Sequence, residues 1–89
     1  MSTEAILITG ADKGLGLSLT NKFLRQEALV FAGKFADDGH LERLSDQFPN
    51  ELTIVPLDVT DLDSVREAAA SISRRTAALD ILINNAGVH

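Results

Sequence analysis

Residues 8–19 read ITGADKGLGLSL, a glycine-rich stretch that lies where two different sequence patterns meet. It overlaps a short apolar run, AILIT over Ala5–Thr9, whose length and β-branched residues favour a buried strand. After it, apolar residues recur at helical spacing to about Glu27. Three glycines lie between these two patterns: Gly10, Gly14 and Gly16. Glycines in this position are typical of a loop that binds phosphate at a helix N-terminus, although a plain turn would use the same residues.

The rest of the chain repeats this alternation of strand and helix. The patterns predict, in chain order, a strand over 29–33, a helix over 37–48, a strand over 52–57, a helix over 61–78 and a strand over 80–84. A β-α-β-α-β-α-β order predicts an α/β fold with a Rossmann-like parallel sheet, right-handed crossovers and helices on both faces.

The third predicted helix has boundary signals of its own. Thr60 with Asp63 resembles a capping box at its start, and Arg74 with Arg75 would favour the negative end of its dipole. The strand before it contains Pro56, which cannot donate to a ladder and should lie near that strand's end or on an edge. The side chains expected to face inward from this helix are Val65, Ala68, Ala69 and Ile72.

Composition limits the classes of function. The 89 residues are 45% hydrophobic and 24% charged, which suits one compact domain. The absence of cysteine excludes disulfides and thiolate metal sites, and His40 and His89 are isolated, so we expect no metal. A net charge of -5 disfavours nucleic-acid binding. There is no apolar run of about 18 residues and no signal-peptide pattern, so we expect a soluble cytoplasmic protein without membrane attachment.

Three motifs together resemble the classical short-chain dehydrogenase/reductase superfamily. The glycine loop has the spacing TGxxxGxG from Thr9, the third strand is followed by LDVTD over 57–61, and the fourth by NNAG over 84–87. The resemblance covers essentially the whole chain, but only about the first third of a typical member of roughly 250 residues. It implies one NAD(P)-binding Rossmann domain over residues 1–89, with strand order 3-2-1-4, incomplete relative to a full family domain.

The resemblance also implies roles for individual residues. Gly10, Lys13, Gly14, Leu15 and Gly16 would line the pyrophosphate and adenosine ribose. Asp58 and Val59 would meet the adenine, with the Asp58 carboxylate accepting from its amino group. Asn85, Ala86 and Gly87 would border the ribose and nicotinamide, largely through backbone, while Asn84 would brace the sheet. The full set of cofactor-binding candidates is Gly10, Asp12, Lys13, Gly14, Leu15, Gly16, Lys34, Asp58, Val59, Asn85, Ala86 and Gly87.

Plainer interpretations of some of these residues stay open. Asp58 could simply cap the turn into the next helix. Asn84 and Asn85 could be turn formers, since asparagine tolerates the left-handed region, and Gly87 could be a turn glycine.

The end of the second strand favours NADP(H) over NAD(H). Gly33 occupies the position where an acid would bind the ribose 2′-hydroxyl of NAD, and Lys34 follows it. Lys13 lies inside the glycine loop, so the two lysines could converge on a 2′-phosphate. Asp12 counts against this, because a carboxylate near the phosphate would weaken its binding. The alternative is that both lysines are solvated surface residues.

The chemistry that the resemblance implies is hydride transfer between the cofactor and a carbonyl or alcohol carbon, with a Ser, Tyr and Lys as catalytic residues. The chain contains no tyrosine, so we assign no catalytic residue and expect these 89 residues alone to be inactive. Because the fourth predicted strand is apolar on both faces, we expect its outer edge to be uncovered. Another copy of the chain, or a further segment of protein, would pair with that edge. Family members are commonly homo-oligomers. Three hypotheses follow: part of an NADP-dependent oxidoreductase, a self-associating nucleotide-binding or regulatory module, or an interaction fragment that binds nothing.

Overall fold

The computed structural model of the chain describes residues 4–36 and 39–85. Its elements are β1 (Ala5–Ile8), α1 (Gly14–Arg25), β2 (Leu29–Lys34), α2 (His40–Gln47), β3 (Leu52–Pro56), α3 (Leu62–Ser73) and β4 (Ile81–Ile83). All strand pairs are parallel and the sheet order is β3-β2-β1-β4, so the predicted fold and order are confirmed. Over the described ranges, no helix combines the length and apolar character needed to cross a membrane.

The two faces of the sheet carry different helices. Val30 and Ala32 of β2 join the cluster that contains Leu24 of α1 and Leu41 of α2. Phe31, between them in the chain, packs instead with the cluster that contains Ile72 of α3. Because neighbouring side chains on a strand point to opposite faces, α1 and α2 cover one face and α3 covers the other. Both faces of β2 are therefore buried, as expected from the predicted parallel sheet with helices on both faces.

The prediction for α3 was wrong in several details. The helix ends at Ser73, so Arg74 and Arg75 follow its last turn. Its N-terminal cap is Asp61, whose side chain accepts from the backbone N–H groups of Asp63 and Ser64 at 3.0 and 3.5 Å, in place of a Thr60 box. Of the four side chains expected to face inward, Ala68 and Ile72 are buried, whereas Val65 and Ala69 are exposed.

The side of β4 that faces away from α1 remains open in the described part of the chain. Among residues 4–36 and 39–85, β4 pairs with β1 alone, and Leu82 at its centre is 61% exposed. Beside it lies an apolar groove of about 620 Å³ between β4 and α3, lined among others by Leu7, Ile72 and Leu79. The expectation of an uncovered fourth strand therefore corresponds to an open face as well as an open edge.

Candidate functional site

The site is built where the carboxyl ends of the strands meet the loop before α1. That loop is joined to the neighbouring strands by backbone hydrogen bonds. The Ala11 N–H donates to the Gly33 carbonyl at 2.8 Å, and the Thr9 N–H donates to the Ile83 carbonyl at 3.0 Å. Because the loop is bonded to both β2 and β4, its position at the sheet edge is fixed by neighbours on each side. Open α/β sheets bind ligands at this edge, where the strand order reverses.

The N-terminus of α1 is open to an anion. Gly14, its first residue, has φ +58° and nothing lies within 4 Å of the position that a Cβ would take. Lys13 precedes it without a side-chain capping bond, and the first turn contains no acidic residue. The unpaired N–H groups of a helix start attract negative charge. The space at Gly14 is therefore suited to a phosphate group.

Gly16 allows α1 to approach the end of β1. A Cβ at this residue would lie 2.2 Å from the Gly10 oxygen and 2.8 Å from Asn85 Nδ2. Such distances are well inside van der Waals contact, so only glycine fits without displacing the backbone. The third glycine of the loop is thus a packing residue, while Gly14 leaves space for a ligand.

A hydrogen-bonded cluster ties β4 to the glycine loop. The Thr9 hydroxyl donates to Asn84 Oδ1 at 3.1 Å and accepts from the Asn85 N–H at 2.9 Å. Asn85 Nδ2 donates to the Gly10 carbonyl at 3.1 Å. The side chain of Asn84 braces the sheet as predicted. Sequence reasoning did not foresee that Asn85 holds the loop through its side chain; the sequence signal was two asparagines following a strand.

Asp12 has a structural role that sequence reasoning missed. It is only 2% exposed, and its Oδ2 accepts from the Ala36 N–H at 2.7 Å. The carboxylate therefore joins the glycine loop to the segment after β2. From the sequence alone, Asp12 counted against phosphate binding. In the structure its carboxylate is buried and hydrogen-bonded to the Ala36 N–H at the rim of the site.

The structure gives Lys34 a partner. Its ammonium forms a salt bridge with Glu42 in the first turn of α2. Lys13 is exposed at the start of α1. The convergence of the two lysines on one phosphate stays a prediction. The contact with Glu42 could have been suspected from an acid eight residues downstream, at the start of a predicted helix.

Asp58 organises the turn after β3. Its Oδ1 accepts from the Thr60 N–H at 2.9 Å and the Thr60 hydroxyl at 2.6 Å, while its own N–H donates to the Ser64 hydroxyl at 2.9 Å. Val59 beside it is exposed. The turn-forming interpretation of Asp58 is therefore supported. The adenine role of Asp58 stays a prediction; none of the described hydrogen bonds uses its Oδ2.

The pKa of Asp58 gives a direct test of this turn. The Thr60 hydroxyl bond, followed by the Thr60 N–H bond, holds the pKa of the carboxyl below its ordinary value, against a small opposing effect of burial. We expect Thr60→Val to raise the Asp58 pKa, measured by NMR titration of its side-chain carboxyl carbon. Thr76→Val is the control, since its hydroxyl donates to the Ala78 carbonyl instead.

The sign of the linked stability change follows from the lowered pKa. The folded-state pKa of Asp58 lies below its unfolded value of about 3.9. The ionised carboxyl therefore makes its full contribution to folding stability above that pH. It is lost as the pH falls through the folded-state pKa. In Thr60→Val, less folding stability should be lost as the pH falls through this range. An Asp58 pKa that is unchanged in this variant would contradict the conclusion that the Thr60 hydroxyl lowers it.

The remaining predicted residues lie on the rim or outside the description. Leu15 is 65% exposed beside the open helix start. Ala86, Gly87 and His89 lie outside the described residues, so their predicted roles are untested. His40 begins α2 and is exposed. Over residues 4–36 and 39–85, no group of three His, Cys, Asp or Glu residues is placed to hold a metal ion.

Comparison with known proteins places this geometry in a family. Residues 4–89 match the family model for short chain dehydrogenase. The chain is 32% identical over 87 residues to the 3-oxoacyl-(acyl-carrier-protein) reductase FabG of Thermotoga maritima, covering 96% of this chain and 35% of the relative. It is 35% identical over 83 residues to the NADP-dependent 3-hydroxy acid dehydrogenase YdfG of Shigella flexneri, covering 93% and 33%. The chain thus spans about a third of the length of these relatives.

The fold is also similar to that of solved structures. A carbonyl reductase from Pseudomonas aeruginosa in complex with NADP matches with a TM-score of 0.87 and 32% identity, over 98% of this chain and 38% of that one. The sheet, the glycine loop and α1 thus belong to an architecture found in that NADP complex.

Proposed function

Because the chain belongs to the short-chain dehydrogenase family, we propose that it forms the dinucleotide-binding part of an oxidoreductase that uses NADP(H) on a carbonyl or alcohol substrate. The observation that carries the proposal is the start of α1, where Gly14 leaves open space in front of a helix end without a side-chain cap. That arrangement binds a phosphate through backbone N–H groups.

The two halves of the cofactor lie on opposite sides of the glycine loop and contact different residues. Gly10, Gly14 and Gly16 bring backbone to the pyrophosphate, and Asp58 with Val59 holds the adenine side. On the β4 side, the NNAG segment holds the ribose next to nicotinamide. When bound, the nicotinamide supplies or accepts a hydride. Asp12 contributes indirectly, by holding the segment after β2 against the loop.

The preference for NADP(H) rests on Lys34 and on the relatives. Lys34 stands at the end of β2, and its salt bridge to Glu42 fixes the ammonium near that edge. An ammonium has three donors, so it can contact a 2′-phosphate while keeping a carboxylate partner. YdfG of Shigella flexneri is NADP-dependent by name, which supports the same preference here.

We also propose that the 89-residue chain by itself binds the cofactor without turnover. It contains no tyrosine, the residue type expected to move the proton at the substrate oxygen. Steady reduction of a carbonyl by the purified chain would contradict this.

Calorimetric titration of the 89-residue chain with NADPH and NADH tests the proposed function. We expect saturable binding, tighter for NADPH. Lys34→Ala should weaken NADPH about tenfold with little effect on NADH, as for loss of one hydrogen bond to a charged group. Lys22→Ala, in the last turn of α1, is the matched control and should change neither. Equal affinity of wild type for both cofactors would overturn the preference, and absence of binding would overturn the function.

A second candidate is a self-associating nucleotide-binding module without catalysis. The observation that favours it is the apolar groove beside Leu82 on the open side of β4. Sedimentation analysis over a range of concentrations tests it. A dimer that Leu82→Lys dissociates would support this candidate, and a monomer at all concentrations would overturn it.

A further inference from the structure

Phe35 is an exposed aromatic residue at the rim of the site. It is 73% exposed, the highest value among the large apolar side chains in the described ranges. It directly follows Lys34, the last residue of β2, and precedes Ala36. A solvent-exposed aromatic ring at the rim of the site can stack against a planar group of a ligand bound there.

The backbone on both sides of Phe35 is fixed. The Lys34 carbonyl accepts from the Leu57 N–H at 2.9 Å, and the Ala36 N–H donates to Asp12 at 2.7 Å. One bond leads to the segment before Asp58, and the other to the glycine loop. Phe35 is therefore held between the two parts of the site that are proposed to take the adenine and the pyrophosphate.

Sheet order separates Phe35 from the nicotinamide side. β2 lies between β3 and β1, while Asn85 follows β4 on the far side of β1. The glycine loop after β1 thus stands between Phe35 and Asn85. An extended dinucleotide with its pyrophosphate at this loop would place only one of its two rings on the β2 and β3 side.

We propose that Phe35 stacks on the adenine ring of the bound dinucleotide and thereby raises the affinity of the chain for it. The inference rests on the proposed function. Stacking of a base on an aromatic side chain tolerates different bases but requires an aromatic face. It also explains how an exposed apolar side chain next to a charged rim gains a partner.

The chain is suited to a spectroscopic test, because it contains no tryptophan or tyrosine. In Phe35→Trp the indole is the single such fluorophore, and the wild type serves as the blank. We expect its emission to be quenched by NADPH, AMP and adenosine 2′,5′-bisphosphate, and to be unchanged by nicotinamide mononucleotide. Quenching by nicotinamide mononucleotide alone would overturn the inference.

Affinity provides the second readout. By calorimetry, Phe35→Ala should raise the Kd for NADPH about fivefold or more, as expected for loss of one stacked base. Leu82→Ala removes a similarly exposed apolar side chain from β4, on the far side of β1 from Phe35, and should leave the Kd unchanged. If wild type binds NADPH and Phe35→Ala binds it equally well, the inference is wrong while the proposed function stands. If wild type binds no dinucleotide, both are wrong.

Discussion

Replacing Gly16 with alanine is expected to lower the free energy of unfolding by about 3 kcal/mol, near the upper end for overpacked sites. The added methyl would stand 2.2 Å from the Gly10 oxygen, which is backbone and cannot rotate away. Urea unfolding followed by circular dichroism measures the change, and loss of NADPH binding should accompany it. Helix propensity acts in the other direction, since alanine gains about 1 kcal/mol over glycine within a helix. The sign of the change in the free energy of unfolding therefore distinguishes steric overlap from gained helix propensity. A Gly16→Ala variant that is more stable than wild type would contradict the close approach of α1 to Gly10.

Gly14→Ala is the matched control two residues earlier. It meets no atom within 4 Å, but it places a side chain at φ +58°, which costs about 1–2 kcal/mol. The variant should fold and yet bind NADPH weakly, because its methyl group enters the space proposed for phosphate. Comparing the two alanines separates packing at Gly16 from ligand space at Gly14.

Replacing Asp12 with alanine is expected to cost about 2 kcal/mol of folding stability and to weaken NADPH binding. The carboxylate is buried and is the acceptor for the Ala36 N–H, which the substitution leaves without this partner. Ala36, which follows Phe35, would lose its hydrogen bond to the glycine loop. Urea unfolding and calorimetry measure the two effects.

Asp12→Asn separates the charge from the hydrogen bond. Its amide oxygen can accept from the same N–H, so we expect a loss below about 1 kcal/mol. Asp46→Ala removes an exposed acid from α2 and should change stability by no more than about 0.5 kcal/mol. If Asp12→Ala were as mild as Asp46→Ala, the structural role of Asp12 would be refuted.

The strands were the most predictable part of the molecule. Each apolar run is short and is followed by a polar residue or glycine, and the four strands were located to within one residue at each end. Helix α3 was less predictable, because an alanine-rich segment has no sharp apolar stripe and gave no signal that Ser73 ends it. Its cap was misplaced by one residue, since Thr60 and Asp61 are both good capping residue types and only the backbone path selects Asp61.

The order of strands and helices, the glycine loop and the family resemblance could all be identified from the sequence alone, because they depend on residues near one another in the chain. The contacts of Asp12 and Asn85 can be identified only in the folded structure. Their partners, Ala36 and Gly10, are 24 and 75 residues away along the chain and are brought close because β1, β2 and β4 lie in one parallel sheet. Likewise, the different roles of Gly14 and Gly16 become visible only when their neighbours in the fold are known. Gly14 faces open space, whereas α1 approaches the end of β1 so closely at Gly16 that a Cβ there would meet the Gly10 carbonyl.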